Sequence, residues 1–76
     1  MVDPSCNSET LRSIIEQEII DDTSESKRRI QKAAQTRLGT KVNVICGRGE
    51  YSYIAHTDLF CQTSRAGVTC YAFKPL

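Results

Sequence analysis

Apolar positions recur at helical spacing in the first half of the chain and turn strand-like in the second. Leu11, Ile14, Ile15 and Ile19 form one apolar stripe, with Arg12, Glu16, Gln17 and Asp21 falling mostly on the other side. Asn7 or Ser8 can cap this segment with a short side-chain oxygen, and Glu9 places negative charge near its start. The pattern predicts a first helix from about Ser8 to Ile20. Asp21, Asp22, Thr23 and Ser24 make a polar break, and Asp22 stands three residues before Glu25, the spacing of a capping box. A second helix is expected from about Ser24 to Leu38, with Ile30, Ala33, Ala34 and Leu38 as its buried stripe and Gly39 as its C-terminal cap.

The stretch from Val42 to Phe73 holds three of the four cysteines, every aromatic residue and the only histidine. Val42 to Cys46 has strand composition, Gly47, Arg48 and Gly49 supply a turn, and Tyr51 to Ala55 reads as a second strand. A turn centred on Arg48 and Gly49 sets Val44 opposite Tyr53 and Cys46 opposite Tyr51. That register puts Val42, Val44, Cys46, Tyr51 and Tyr53 on one face. A further hairpin runs from Leu59 to Phe73 around Ser64, Arg65, Ala66 and Gly67, which sets Cys61 opposite Cys70. The expected architecture is α+β: two N-terminal helices packed on a small three- or four-stranded antiparallel sheet, held by two disulfides. No repeat or internal boundary divides the chain, so residues 1–76 are expected to form a single domain with its core at about 6–75.

Composition explains why disulfides matter. A chain of 76 residues with 39% apolar residues and no tryptophan builds only a modest core, and domains of this size commonly add disulfides, a metal or a partner chain. The formal net charge is +1, from ten basic and nine acidic residues. That balance gives no reason to expect a nucleic acid or an anionic membrane as partner. No apolar run approaches the roughly 18–20 residues of a membrane-spanning helix. The residues after Met1 do not read as a secretory signal. If the domain is secreted, it is expected to be a segment of a longer precursor, with Met1 an added start.

Four cysteines allow three pairings. The hairpin register favours Cys61–Cys70, leaving Cys6–Cys46 to clamp the first helix to the first strand. The rivals are Cys6–Cys61 with Cys46–Cys70, and Cys6–Cys70 with Cys46–Cys61. A zinc site is the competing use, but structural zinc ligands usually come in close pairs, and no two of these cysteines are close. A catalytic cysteine needs a base beside it, and His56 has no evident partner. No metal or other cofactor is expected.

Ser52, His56 and Asp58 include the residue types of a hydrolase triad, yet they crowd into one short stretch without a G-x-S-x-G elbow. They read better as surface and turn residues. Gly47-Arg48-Gly49 resembles part of a phosphate loop but lacks the lysine that would follow and stands between strands. Lys27, Arg28, Arg29 and Lys32 form a basic cluster on the second helix. It is a candidate face for an acidic protein or a sulfated glycan, although such runs are more often the solvated side of a helix. Tyr51, Tyr53, Phe60, Tyr71 and Phe73 read as sheet and core residues, any exposed subset being a candidate contact patch.

Several pieces of the chain together resemble the ground-like domain of nematode hedgehog-related secreted proteins. They are Cys6-Asn7-Ser8 leading to Leu11-Arg12, Ser26-Lys27 with Ile30-Gln31, and Val42-Asn43-Val44-Ile45-Cys46. Tyr51-Ser52-Tyr53-Ile54, Cys61-Gln62 and Val68-Thr69-Cys70-Tyr71-Ala72-Phe73 complete the set. The resemblance implies a secreted extracellular module without enzymatic activity. It also implies a partner of one of two kinds: a Patched-related membrane protein, or a protein or glycan of the cuticle and apical extracellular matrix. The self-splicing part of hedgehog has no counterpart here. Neither nucleic-acid binding nor membrane insertion is expected, and the domain is expected to be a monomer.

Overall fold

The computed structural model of the chain describes residues 5–49 and 57–76. Within them, two helices pack on a three-stranded antiparallel sheet, and two disulfides join the parts. The elements are α1 (Glu9–Glu18), α2 (Thr23–Leu38), β1 (Asn43–Arg48), β2 (Phe60–Arg65) and β3 (Val68–Phe73).

Helix α1 starts where Ser8 caps it: the Leu11 N–H donates to Ser8 Oγ at 3.2 Å. It buries Leu11, Ile14 and Ile15. The helix stops at Glu18, two residues short of the expected end, because Ser26 engages the next backbone groups. Ser26 Oγ accepts from the Ile20 N–H at 2.9 Å and donates to the Ile20 carbonyl at 3.0 Å. Ser26 is fully buried. Its hydroxyl therefore closes the turn between the helices from inside, satisfying backbone groups that would otherwise be orphaned at a helix end. Asp22 caps α2, accepting from the Glu25 N–H at 2.9 Å, and Gly39 ends it with φ 66°.

Strand β3 is central, in the order β1–β3–β2. It is buried at every position. Residues Val44, Cys46, Val68, Cys70, Ala72 and Cys61 share the core with the stripes of both helices. The core also takes Ile19, Ile30, Ala34 and Val42. Two glutamines one turn apart on α2 grip the peptide groups before β1. Gln31 Nε2 donates to the Val42 carbonyl at 3.1 Å, and Gln35 Oε1 accepts from the Val42 N–H at 3.2 Å.

Two strand expectations change, and a third falls on residues that are not described. Strand β1 continues through Gly47 and Arg48, which pair with Thr69 and Val68, so neither residue forms the expected turn. The expected strand over Tyr51 to Ala55, and the pairing of Val44 and Cys46 with it, lie outside the described residues. The β2–β3 connection is a two-residue turn of Ala66 (φ 53°) and Gly67 (φ 78°), not a four-residue loop. Positive φ at both positions matches the right-handed twist of a hairpin. The tighter turn sets Cys61 opposite Ala72 and Thr63 opposite Cys70.

Candidate functional site

That change of register decides the disulfides. The favoured pairing of Cys61–Cys70 with Cys6–Cys46 is replaced by Cys6–Cys61 and Cys46–Cys70. Because side chains alternate with period two, Cys61 and Cys70 still face the same side, but they are not opposite neighbours. Cys70 instead lies directly across from Cys46 in the β1–β3 ladder. Cys6 reaches Cys61 along the other edge of β2, where Ser5 to Asn7 run antiparallel to it. The Asn7 N–H donates to the Phe60 carbonyl at 3.0 Å, and the Gln62 N–H donates to the Ser5 carbonyl at 2.8 Å. These two bonds bracket Cys6 and Cys61 as a non-hydrogen-bonded pair, the arrangement that brings opposed side chains closest. Asn7 reinforces the edge: its Oδ1 accepts from the Phe60 N–H at 2.9 Å and its Nδ2 donates to the Asp58 carbonyl at 3.0 Å.

The sequence separations of 55 and 24 overlap along the chain. On the chain-entropy account each closure stabilises by about 3–4 kcal/mol, the longer one by more. All four sulfurs are joined in pairs, so none is available as a thiolate ligand or nucleophile. Among the described residues, no group of three histidine, cysteine or carboxylate side chains is placed to hold a metal ion. No described helix is long and apolar enough to cross a membrane. Asp58 is exposed and pairs with Lys74 at 3.6 Å, while Ser52 and His56 lie outside the described residues.

The four residues of the expected basic cluster, Lys27, Arg28, Arg29 and Lys32, are all exposed but do not form one patch. At roughly 100° per residue, Lys27 and Arg29 stand about 160° apart around the helix. Arg28 pairs with Glu25 at 3.6 Å, an exposed pair of little energetic weight. Arg29 Nε reaches Glu18 Oε1 of α1 at 3.3 Å.

Arg29 and Lys32 instead join residues the cluster did not include. They line a shallow groove of about 340 Å³ with Glu18, Ala33, Thr36 and Arg37. Arg29, Ala33 and Arg37 follow one another at i, i+4 and i+8, so they form a single column on the helix. Thr36 and Lys32 form the adjacent column. The small side chain of Ala33, between two arginines, makes the depression. Lys32 and Arg37 have no ion pair among the described residues, whereas Arg29 is already engaged by Glu18. Arg37 also sits in the last turn of α2, where a cation offsets the helix dipole, an ordinary structural use of such a residue. Adjacency in the sequence hid Arg37; the column spacing reveals it.

On the sheet, Phe60, Tyr71 and Phe73 cluster, with ring centroids 6.4 Å apart for Phe60–Tyr71 and 5.4 Å for Tyr71–Phe73. Tyr71 is only 5% and Phe73 9% exposed, so these two are packing residues rather than an open contact patch.

Compared with known families, the chain matches the ground-like domain over residues 3–73, nearly its whole length. No curated protein matches it.

Proposed function

We infer, from the fact that this chain belongs to the ground-like domain family, that it acts as a non-catalytic extracellular recognition module of the hedgehog-related kind. Its proposed partner is a Patched-related membrane protein. The family match over residues 3–73 carries this reading. The two disulfides support it, because such bonds form and persist in oxidising compartments. A scaffold held this way binds through a surface that is already ordered, so little entropy is lost on docking.

The matrix alternative keeps the same scaffold and changes the partner to a protein or glycan of the extracellular matrix. The exposed cations of α2 favour it, Lys27, Arg28, Arg29 and Lys32 included.

Binding of the labelled, oxidised domain to cells displaying Patched-related ectodomains separates the two. Saturable binding that vanishes on reduction is the expected result. Folded domain that binds none of those cells but is retained on isolated matrix would transfer the assignment to the matrix.

A further inference from the structure

We propose that the groove over Ala33 and Thr36 on α2 is a docking site for an acidic peptide segment that carries an apolar side chain between its carboxylates. The proposal rests on the recognition reading above and names the partner chemistry at one place on the module.

Charge and shape together select this occupant. The groove presents Arg29, Lys32 and Arg37 against one carboxylate, Glu18, which Arg29 already neutralises at 3.3 Å. That leaves Lys32 and Arg37 as the cations facing a ligand. They stand about 140° apart around α2 and about 7.5 Å apart along it, with Ala33 and Thr36 between them. A ligand lying along the groove therefore meets a cation on each bank and the methyl groups of Ala33 and Thr36 beneath.

The apolar floor argues against a sulfated glycan, which would bring hydroxyls to a surface that offers them little hydrogen bonding. A leucine or valine side chain covers that floor, and the aliphatic stems of Lys32 and Arg37 extend it.

The test is a titration of the oxidised domain followed through its backbone amide resonances. Three probes are used: an acetylated hexapeptide alternating glutamate and leucine, the same peptide with serine replacing leucine, and a heparin hexasaccharide. The glutamate–leucine peptide is expected to shift the amides of Lys32, Ala33, Thr36 and Arg37. The serine peptide should bind at least fivefold more weakly, since it leaves the apolar floor without an apolar side chain to cover it. The double variant Lys32→Glu and Arg37→Glu should lose tenfold or more. Its thermal melt shows whether it has folded, and Lys32→Gln with Arg37→Gln serves if it has not.

Equal binding of all three probes would reduce the groove to a non-selective anion surface and overturn the proposal, as would no localised shift at millimolar peptide. The two readings fail separately. Ectodomain binding that is unchanged in the double variant removes the groove and leaves the recognition module standing. A wild-type domain that binds the peptide at Lys32 and Arg37, but neither ectodomains nor matrix, removes the module assignment and leaves the groove.

Discussion

The two helices bury equal numbers of side chains from very different lengths. Helix α1 buries Leu11, Ile14 and Ile15 out of ten residues, while α2 buries Ser26, Ile30 and Ala34 out of sixteen. The contrast extends to how each is held. Next to α1, Cys6 is bonded covalently to β2, and Arg65 at the end of β2 donates to the Glu16 carbonyl. Helix α2 is held by packing, the Gln31 and Gln35 hydrogen bonds, and the Ser26 clamp. Most of its length and charge is therefore not needed for the core. A helix that fully buries three residues in sixteen, with Ala33 and Leu38 packed beside them, still has a broad solvent face free for other uses.

If α1 anchors and α2 displays, damage near α1 should unfold the domain and damage on the outer face of α2 should not. The strongest test removes a disulfide. Replacing Cys6 and Cys61 together with alanine should destabilise by about 4 kcal/mol, and replacing Cys46 and Cys70 by slightly less, because the first pair closes the longer loop. A domain of this size has on the order of 4–11 kcal/mol in all. Urea denaturation of both variants reads the order directly. Reductant should also attack the pairs in sequence. Cys46 is half-buried and should open first, whereas Cys6 and Cys61 are 4% and 0% exposed. A protein equally stable without Cys6–Cys61 would show that α1 is held by packing alone.

The next effect is a cavity. Ile15→Ala empties a fully buried site in α1 and should cost about 2–5 kcal/mol. Lys32→Ala on the exposed side of α2 should stay within about 0.5 kcal/mol. Comparable losses in the two melts would erase the distinction between the helices.

Ser26→Ala tests the one place where the two helices depend on the same atom. It leaves both the N–H and the carbonyl of Ile20 without their buried partner. The expected cost is about 1–3 kcal/mol, more than removing a surface hydroxyl would give. Ser26→Thr, which keeps the hydroxyl but adds a methyl to a fully buried site, should recover part of it only if the surroundings yield. Hydrogen exchange at Ile20 checks the mechanism: its amide, just beyond α1, should lose protection in Ser26→Ala ahead of the amides of α1 itself.

How much of this the residues announce depends on whether the signal is local. The caps Ser8, Asp22 and Gly39 and both apolar stripes were legible, because each is set within one or two turns of chain. The cysteine pairing was not. It turns on Ala66 accepting φ 53°, a left-handed conformation that alanine adopts at a cost of roughly 1–2 kcal/mol and that only the surrounding hairpin can enforce. Once that turn shortens, the β2–β3 register moves by two residues, Cys61 faces Ala72, and Cys70 is bonded to Cys46 across the β1–β3 ladder. The Ser26 clamp was equally hidden, since a serine in the first turns of a helix looks like any polar residue until its partner at Ile20 is placed. On α2, reading neighbours in sequence grouped Lys27 with Arg29, which the helix separates, and left out Arg37, which the helix aligns with Arg29.

The smallest expected effect bears on Arg37, because two explanations of that residue diverge there. If Arg37 serves only the helix terminus, its charge matters to stability and nothing else. Arg37→Lys would then be silent, and Arg37→Gln would cost about 0.3–1 kcal/mol, a loss that salt should shrink. If Arg37 serves the groove, Arg37→Gln should change the melting temperature little but weaken the glutamate–leucine peptide several-fold. Arg37→Lys should also fall short, since a lysine cannot present the planar fork that grips a carboxylate at two points. Melting and peptide titration on the same two variants therefore assign the residue. A stability loss without a binding loss returns Arg37 to the helix, and a binding loss without a stability loss makes the outer face of α2 the displaying surface.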